Sequence, residues 1–144
     1  MAEWFPMDEA TLVCEMANKS KTQTQLPMNI RIDENQTYIK GRHSKRVIFQ
    51  LDHGNRMNFS RFGSMDLDGN LHCKDIGELS QEDIKALRNF VSNNRVAIDY
   101  VADNDIWLDQ IWPSIIKGGE LASFEEIQKL NLKVDELIEL NKEA

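Results

Sequence analysis

The chain has few of the residues that build disulfide scaffolds. It contains 144 residues, of which only two are cysteine, and these, Cys14 and Cys73, form no CxxC pair. We therefore expect two reduced thiols and a protein of the cytoplasm. A chain of this length buries roughly 70% of its extended surface on folding, so it needs neither a disulfide nor a metal to fold.

Long apolar runs are also missing. The first residues, MAEWFPMDEATL, lack a basic start followed by an apolar stretch, so we expect no secretory signal. No apolar run approaches the length that spans a bilayer. The sequence therefore predicts no membrane association.

Sequence motifs of catalysis and cofactor binding are not found. There is no GxSxG, and Gly118-Gly119 is not followed by the lysine and serine or threonine of a phosphate loop. The histidines match no zinc spacing. We expect no metal, no cofactor and no catalytic residue, which favours a protein that is not an enzyme.

The chain also has no net positive charge, and its basic residues are concentrated in one segment. The net charge is −7, so bulk repulsion opposes general nucleic-acid binding. Residues 40–61 nevertheless hold six basic residues against the single acidic Asp52, and we call these six the basic island: Lys40, Arg42, Lys45, Arg46, Arg56 and Arg61. Such an island can bind phosphates, protect an edge strand from aggregation, or pair with the acidic remainder of the chain.

Two histidines lie within the same window. His43 and His53, with Arg46 or Arg56, contain the groups of a ribonuclease-like acid–base pair. Surface or hydrogen-bonded structural histidines are the favoured interpretation of these two and of His72.

Two acidic patterns raise the question of a cation site. Asp66, Asp68 and Asn70 resemble the start of a calcium loop, but Leu71 and Gly77 stand at its sixth and twelfth positions, so a hairpin turn at Asp68-Gly69 is favoured. A second series surrounds Trp107 and is favoured as a solvated helix face: Asp99, Asp103, Asp105 and Asp109.

The pattern of apolar residues predicts an α+β fold in a single domain, residues 1–144, with a frayed tail at 142–144. We expect a short N-terminal helix at 7–17, a polar connector at 18–25, and a four- or five-stranded antiparallel sheet over about 28–73. Met28, Ile30 and Ile32 alternate with polar residues, and RVIFQL at 46–51 is rich in strand formers. Strands are also expected at 37–40 and 57–62.

Two or three helices should follow and pack on one face of the sheet. Ser80 and Asp83 form a capping-box-like start. We favour one long helix from there through 93–102, although Asn93-Asn94 can end it and 96–100 can alternate as a strand. Ser123 begins a last helix, which extends to about Asn141.

The helical half offers a predicted partner interface. Trp107 and Trp112 lie five residues apart, so on one helix they point in different directions, and one of them can serve as an exposed anchor while both can equally fill the core. The last helix carries a short heptad-like seam that suits the protein's own body or a dimer face: Ile127, Leu130, Val134 and Leu137.

These patterns lead to three hypotheses about function. The first is a non-enzymatic interaction or regulatory module that acts through contact with a protein partner, including a second copy of itself as a homodimer. The alternative is a nucleic-acid-binding protein that uses the basic island, with a small histidine-dependent nuclease as a third possibility.

Overall fold

The computed structural model describes residues 18–33, 45–104 and 107–143, and its architecture is α+β as predicted. Four antiparallel strands pair in the order β1-β2-β3-β4. They are β1 (Asn18–Lys19), β2 (Ile30–Ile32), β3 (Arg46–Gln50) and β4 (Phe62–Asp66). The predicted N-terminal helix and the predicted strand at 37–40 lie outside the described residues.

The helices are α1 (Lys21–Thr24), α2 (Gln81–Asn93), α3 (Arg95–Asp103), α4 (Leu108–Ile111) and α5 (Phe124–Glu143). A 3₁₀ turn, Trp112–Ser114, follows α4 and contains Pro113. The capping box that begins α2 is confirmed, because the Ser80 hydroxyl accepts the Asp83 N–H at 3.1 Å and the Asp83 carboxylate accepts the Ser80 N–H at 2.9 Å.

The sheet departs from the sequence prediction at both ends. The connector expected at 18–25 is wrong: Asn18 and Lys19 pair with β2, and Ser20 caps the short helix α1. Polar residues can form this edge strand because its pairing uses backbone groups. The strand expected at 57–62 is also wrong, since pairing begins only at Phe62.

The hairpin after β4 lies where it was predicted but uses a longer loop. An isolated bridge joins Met65 to Leu71, and the Gly69 N–H donates to the Asp66 carbonyl at 3.0 Å. Gly69 has φ 89° whereas Asp68 does not take a positive φ. A three-residue loop with glycine at the positive-φ position therefore replaces the two-residue primed turn.

One contiguous core joins the sheet to the helices. The buried face of the sheet is fully covered and consists of Ile30, Ile32, Val47, Phe49 and Met65. The facing helical residues include the predicted Ile84, Leu87, Val91, Ile98, Leu130 and Val134. Strand alternation and helical periodicity thus identified the two faces that meet.

The single long helix predicted from Ser80 onwards is wrong, and so is the alternative strand at 96–100. Asn94 has φ −111° and ψ 15°, which separates α2 from α3. Its side chain is fully buried and pairs with the backbone of Ile116 in both directions, donating to the carbonyl at 2.8 Å and accepting the N–H at 2.8 Å. This pairing explains why a polar residue lies at the break.

A segment that we call the strap, residues 115–122, is held against α2 by asparagine side chains. Asn93 donates to the Glu120 carbonyl at 2.7 Å and accepts the Ala122 N–H at 3.1 Å. Asn89 donates to the Gly119 carbonyl at 2.9 Å. The Gly118 N–H donates to the Thr24 carbonyl at 2.7 Å, so the strap also ties α1 to the helical half.

Candidate functional site

The first described part of the basic island is neutralised by the protein itself. The Lys45 ammonium pairs with the carboxylates of Asp99 and Asp103 on α3. Burial acts to lower the pKa of Lys45, but the hydrogen bonds to Asp103 and Asp99 outweigh it and raise the pKa. The two aspartates are thereby accounted for as ion-pair partners, and Asp109 pairs in the same way with the buried Lys19.

The remaining described arginines of the basic island do not form one patch. Arg46 opens β3 and is half-buried. Its Nη1 donates to the Ser64 hydroxyl at 3.4 Å, and its buried Nε has no hydrogen-bond partner among the described residues. Arg56 and Arg61 are exposed beyond the other end of the β3–β4 ladder. The two ends of the ladder, at Arg46 and Gln50, are four residue steps apart, which is about 13 Å. Lys40, Arg42 and His43 lie outside the described residues.

The loop that carries Arg56 is organised by two buried amides. Asn29 and Gln50 bond to each other at 3.2 Å, and both are essentially inaccessible to solvent. The Asn29 amide donates to the Gly54 carbonyl at 3.2 Å, while Gln50 donates to the Arg56 carbonyl at 3.2 Å. The loop is therefore held by the core, a feature that apolar periodicity could not indicate because it depends on buried polar residues.

His53 has a carboxylate partner. Its Nε2 lies 2.6 Å from Oδ2 of Asp83, the residue that also caps α2. Burial acts to raise the pKa of Asp83, but hydrogen bonds from the Ser80 N–H and from His53 outweigh it and lower the pKa. This contact fits the hydrogen-bonded structural histidine that we favoured over a nuclease residue.

His72 and the calcium-like aspartates form a closed hairpin. The Asp66 carboxylate accepts from the N–H groups of Asp68 at 2.9 Å and Asn70 at 3.0 Å, and lies 2.8 Å from His72 Nε2. Burial acts to raise the pKa of Asp66, yet these hydrogen bonds lower it to about 2. Within 18–33, 45–104 and 107–143, no three His, Cys, Asp or Glu side chains are grouped to hold a metal ion.

The two tryptophans of the predicted interface are both half-buried. The Trp112 ring lies 4.6 Å from the Lys19 ammonium and 4.7 Å from the Lys117 ammonium, measured to the ring centroid. Lys117 also donates to the Trp112 carbonyl at 2.6 Å, and burial, with the neighbouring charge of Lys19, lowers the pKa of Lys117. These cation–π contacts anchor Trp112 to the protein's own body.

Helix α5 places the predicted seam inward and a different set of apolar residues outward. Leu130 and Val134 are 2% and 1% exposed and belong to the core, whereas Ile127 and Leu137 are half-buried. Three other large apolar side chains are mostly in solvent: Phe124 at 76%, Leu132 at 60% and Leu140 at 59%. The interface predicted from the sequence contains none of these three, because it was drawn from the heptad-like seam alone.

A groove of about 710 Å³ lies beside the exposed side of α5. Segment 113–117 forms its opposite wall, and this wall is continuous with the strap that Asn93 and Asn94 fix. Its lining mixes apolar and charged side chains: Pro113, Ile116, Lys117, Glu126, Lys129, Leu130, Leu132, Lys133 and Glu136. Leu132 and Glu136 also border a second concave surface, of about 620 Å³, beside Leu140.

Leu132 therefore lies at the centre of a continuous accessible surface. We define the outer face of α5 as the side of the helix away from the core, where Leu132 is exposed. Eight residues turn about 80° around a helix, so Phe124 and Leu140 lie on the two flanks of this face. Charged residues of both signs lie beside Leu132, including Lys129 and Glu136. An apolar centre with a charged rim is the usual composition of a contact surface between proteins.

The comparisons with known proteins give no family to which this surface could be referred. No protein-family model, curated protein sequence or solved structure matches the chain. None of the described helices combines the length and apolar character needed to cross a membrane.

Proposed function

We propose that this protein is a non-enzymatic interaction module that acts through protein–protein contact at the outer face of α5. The single observation that carries the proposal is the exposure of Phe124, Leu132 and Leu140 along one 20-residue helix. An exposed leucine by itself is ordinary, but half of the six large apolar residues exposed in the described part of the chain lie on this helix.

Rigid support is the second argument for this proposal. Leu130 and Val134 anchor the opposite side of α5 in the core, and the Tyr100 hydroxyl accepts a hydrogen bond from the Asn141 amide at 2.7 Å. The facing wall is held by the strap. A partner would therefore meet a preformed surface and lose little free energy in ordering it. The proposal places this module in the cytoplasm, where Cys14 and Cys73 stay reduced.

Photo-crosslinking in cells tests the proposal. A photo-reactive phenylalanine analogue is incorporated at one chosen position of the chain in the cells that express it. At Leu132 or Leu140 it should give discrete covalent adducts, whereas at Glu82, an exposed position in the first turn of α2, it should give none. Adducts at Leu132 should disappear when Leu140→Glu is added. Folded protein without adducts at either α5 position would overturn the proposal.

Nucleic-acid binding by the basic island remains the second candidate. Its support is that Arg56 and Arg61 are exposed, that Arg61 directly precedes Phe62, which is 53% exposed, and that the Arg31 guanidinium lies 5.9 Å from the centroid of the half-buried Phe59 ring. Arginine beside aromatic rings is the composition of a surface on which bases stack.

The pairing of Lys45 with two aspartates argues against this candidate. Gel-shift titrations of short RNA and DNA should decide it. Binding that weakens with salt and disappears in Arg56→Glu/Arg61→Glu would favour nucleic acid. No shift at low salt would remove it.

A further inference from the structure

The exposed apolar residues of α5 are arranged symmetrically along the helix. Phe124 and Leu140 each lie eight residues from Leu132, one before it and one after it. Steps of four residues follow a single ridge on a helix surface, so Phe124, Gln128, Leu132, Glu136 and Leu140 form one such ridge. The centre of the ridge is apolar and so are both of its ends.

A ridge of this kind has a preferred way of packing. When the four-residue ridges of two helices interdigitate, the helices cross at about −50°, which is the commonest packing class in globular proteins. A two-fold axis beside Leu132 would relate each position before Leu132 to the position equally far after it. Leu132 then meets its own copy, and Phe124 of one molecule lies toward Leu140 of the other.

The charges beside Leu132 agree with the same axis. Lys129 lies three residues before Leu132 and Glu136 four residues after it, and both border the groove. The axis brings Lys129 of each molecule near Glu136 of its mate, a carboxylate that also pairs with Lys133 of its own chain at 3.2 Å. Two ion pairs would therefore flank the central leucines, whereas a parallel pairing would set like charges beside each other.

We propose that the partner on the outer face of α5 is a second copy of this chain, joined antiparallel about a two-fold axis at Leu132. This inference rests on the proposed function, because it names the partner of the same surface. A contact built mainly from one helix of each molecule falls at the low end of specific interfaces, below about 1,200 Å² in total. A dissociation constant in the micromolar range is expected.

Cysteine trapping tests the position of the axis. In a chain that carries Cys14→Ser and Cys73→Ser, Leu132→Cys should form a disulfide with its own copy under mild oxidation. Leu140→Cys alone should not, because its two copies would lie about 24 Å apart along the helices. Mixing Leu140→Cys with Phe124→Cys should restore the crosslink. Self-crosslinking of Leu140→Cys that equals that of Leu132→Cys would overturn the antiparallel axis.

Charge reversal tests the pairing by a second route that does not depend on crosslinking. Lys129→Glu and Glu136→Lys should each weaken self-association about tenfold, as expected for loss of two charge pairs. The double variant should recover most of this loss, since the opposite charges face each other again. Equal weakening in the double variant would contradict the pairing of these two residues.

The photo-adducts separate failure of this inference from failure of the proposed function. Adducts of twice the chain mass at Leu132 support the second copy. Adducts only to other proteins, with a chain that stays monomeric at high concentration, overturn the second copy and leave the interaction surface standing. A monomer without adducts overturns both.

Discussion

The side chain of Asn94 should contribute strongly to stability, although the apolar pattern of the sequence does not mark this residue as part of the core. It is fully buried at the break between α2 and α3 and makes three hydrogen bonds. Its amide nitrogen donates to the carbonyls of Phe90 at 2.9 Å and Ile116 at 2.8 Å, and its oxygen accepts the Ile116 N–H at 2.8 Å. Truncation to alanine would leave both backbone groups of Ile116 without this partner.

The expected loss follows from those two groups. Each buried backbone group left without a hydrogen bond costs about 1–3 kcal/mol. Because Ile116 is half-buried and the Phe90 carbonyl keeps its bond from the Asn94 N–H, we take the lower half of that range and expect Asn94→Ala to cost about 3 kcal/mol. Asn94→Asp at neutral pH should cost at least as much, since a carboxylate would face the Ile116 carbonyl.

Urea unfolding of the purified variants measures this loss. The midpoint reports the change in stability when the m-value stays equal to that of the wild type. Ser92→Ala is the matched control, because Ser92 is exposed on α2 and its hydroxyl makes no hydrogen bond with the described residues. This change should alter stability by less than about 0.5 kcal/mol. Hydrogen exchange at the Ile116 and Gly118 amides should accelerate in Asn94→Ala. A loss below about 1 kcal/mol, within the range of an ordinary surface change, would refute the reasoning.

Two other predictions concern stability. The folded pKa of Asp66, about 2, lies below the ordinary aspartate value of 3.8, so its contribution to stability is present above pH 4 and is lost as pH falls toward 2. Asp66→Asn should flatten the acid limb of the stability curve, and Glu82→Gln should not. Gly119→Ala would place a Cβ 2.8 Å from the Ala86 Cα and should cost about 1–3 kcal/mol, with partial rescue by Ala86→Gly; unfolding curves that match wild type would contradict this packing.

The sequence predicted those parts of the fold that depend on apolar periodicity and local capping. The alternation of Ile30 and Ile32, and of Val47 and Phe49, identified the buried face of the sheet. Ser80 and Asp83 predicted the start of α2. Such signals are local, so a single chain displays them without knowledge of its contacts.

Buried polar residues produced the errors. We expected Asn94 to lie inside one long helix, because its partner, Ile116, is 22 positions away and leaves no local pattern around Asn94. Asn29 and Gln50 gave no indication that they hold a loop, since a polar residue within a strand also fits the solvent face. β1 was missed for the same reason. A hydrogen bond to a distant backbone group has no periodicity in the sequence.

The candidate site was predicted only in part. The last helix was predicted to carry a partner interface, and this stays a prediction. Leu130 and Val134 of the predicted seam belong to the core, whereas Leu132 and Leu140 are exposed. A helix with apolar residues around much of its circumference can turn either side toward the core, and the sequence does not indicate which side the rest of the protein covers. The basic island, by contrast, was read as a cluster because its residues are close in sequence, whereas β3 separates them in space.

Sedimentation of the purified chain over a wide concentration range tests the central claim most directly. The account predicts that the mass rises from 16.7 kDa toward twice that value, that Leu132→Glu holds the chain at 16.7 kDa, and that Leu121→Glu behaves as wild type. Leu121 is a suitable control because it is 68% exposed yet lies outside α5. Self-association that survives Leu132→Glu unchanged would contradict the assignment of the outer face of α5 as the contact surface.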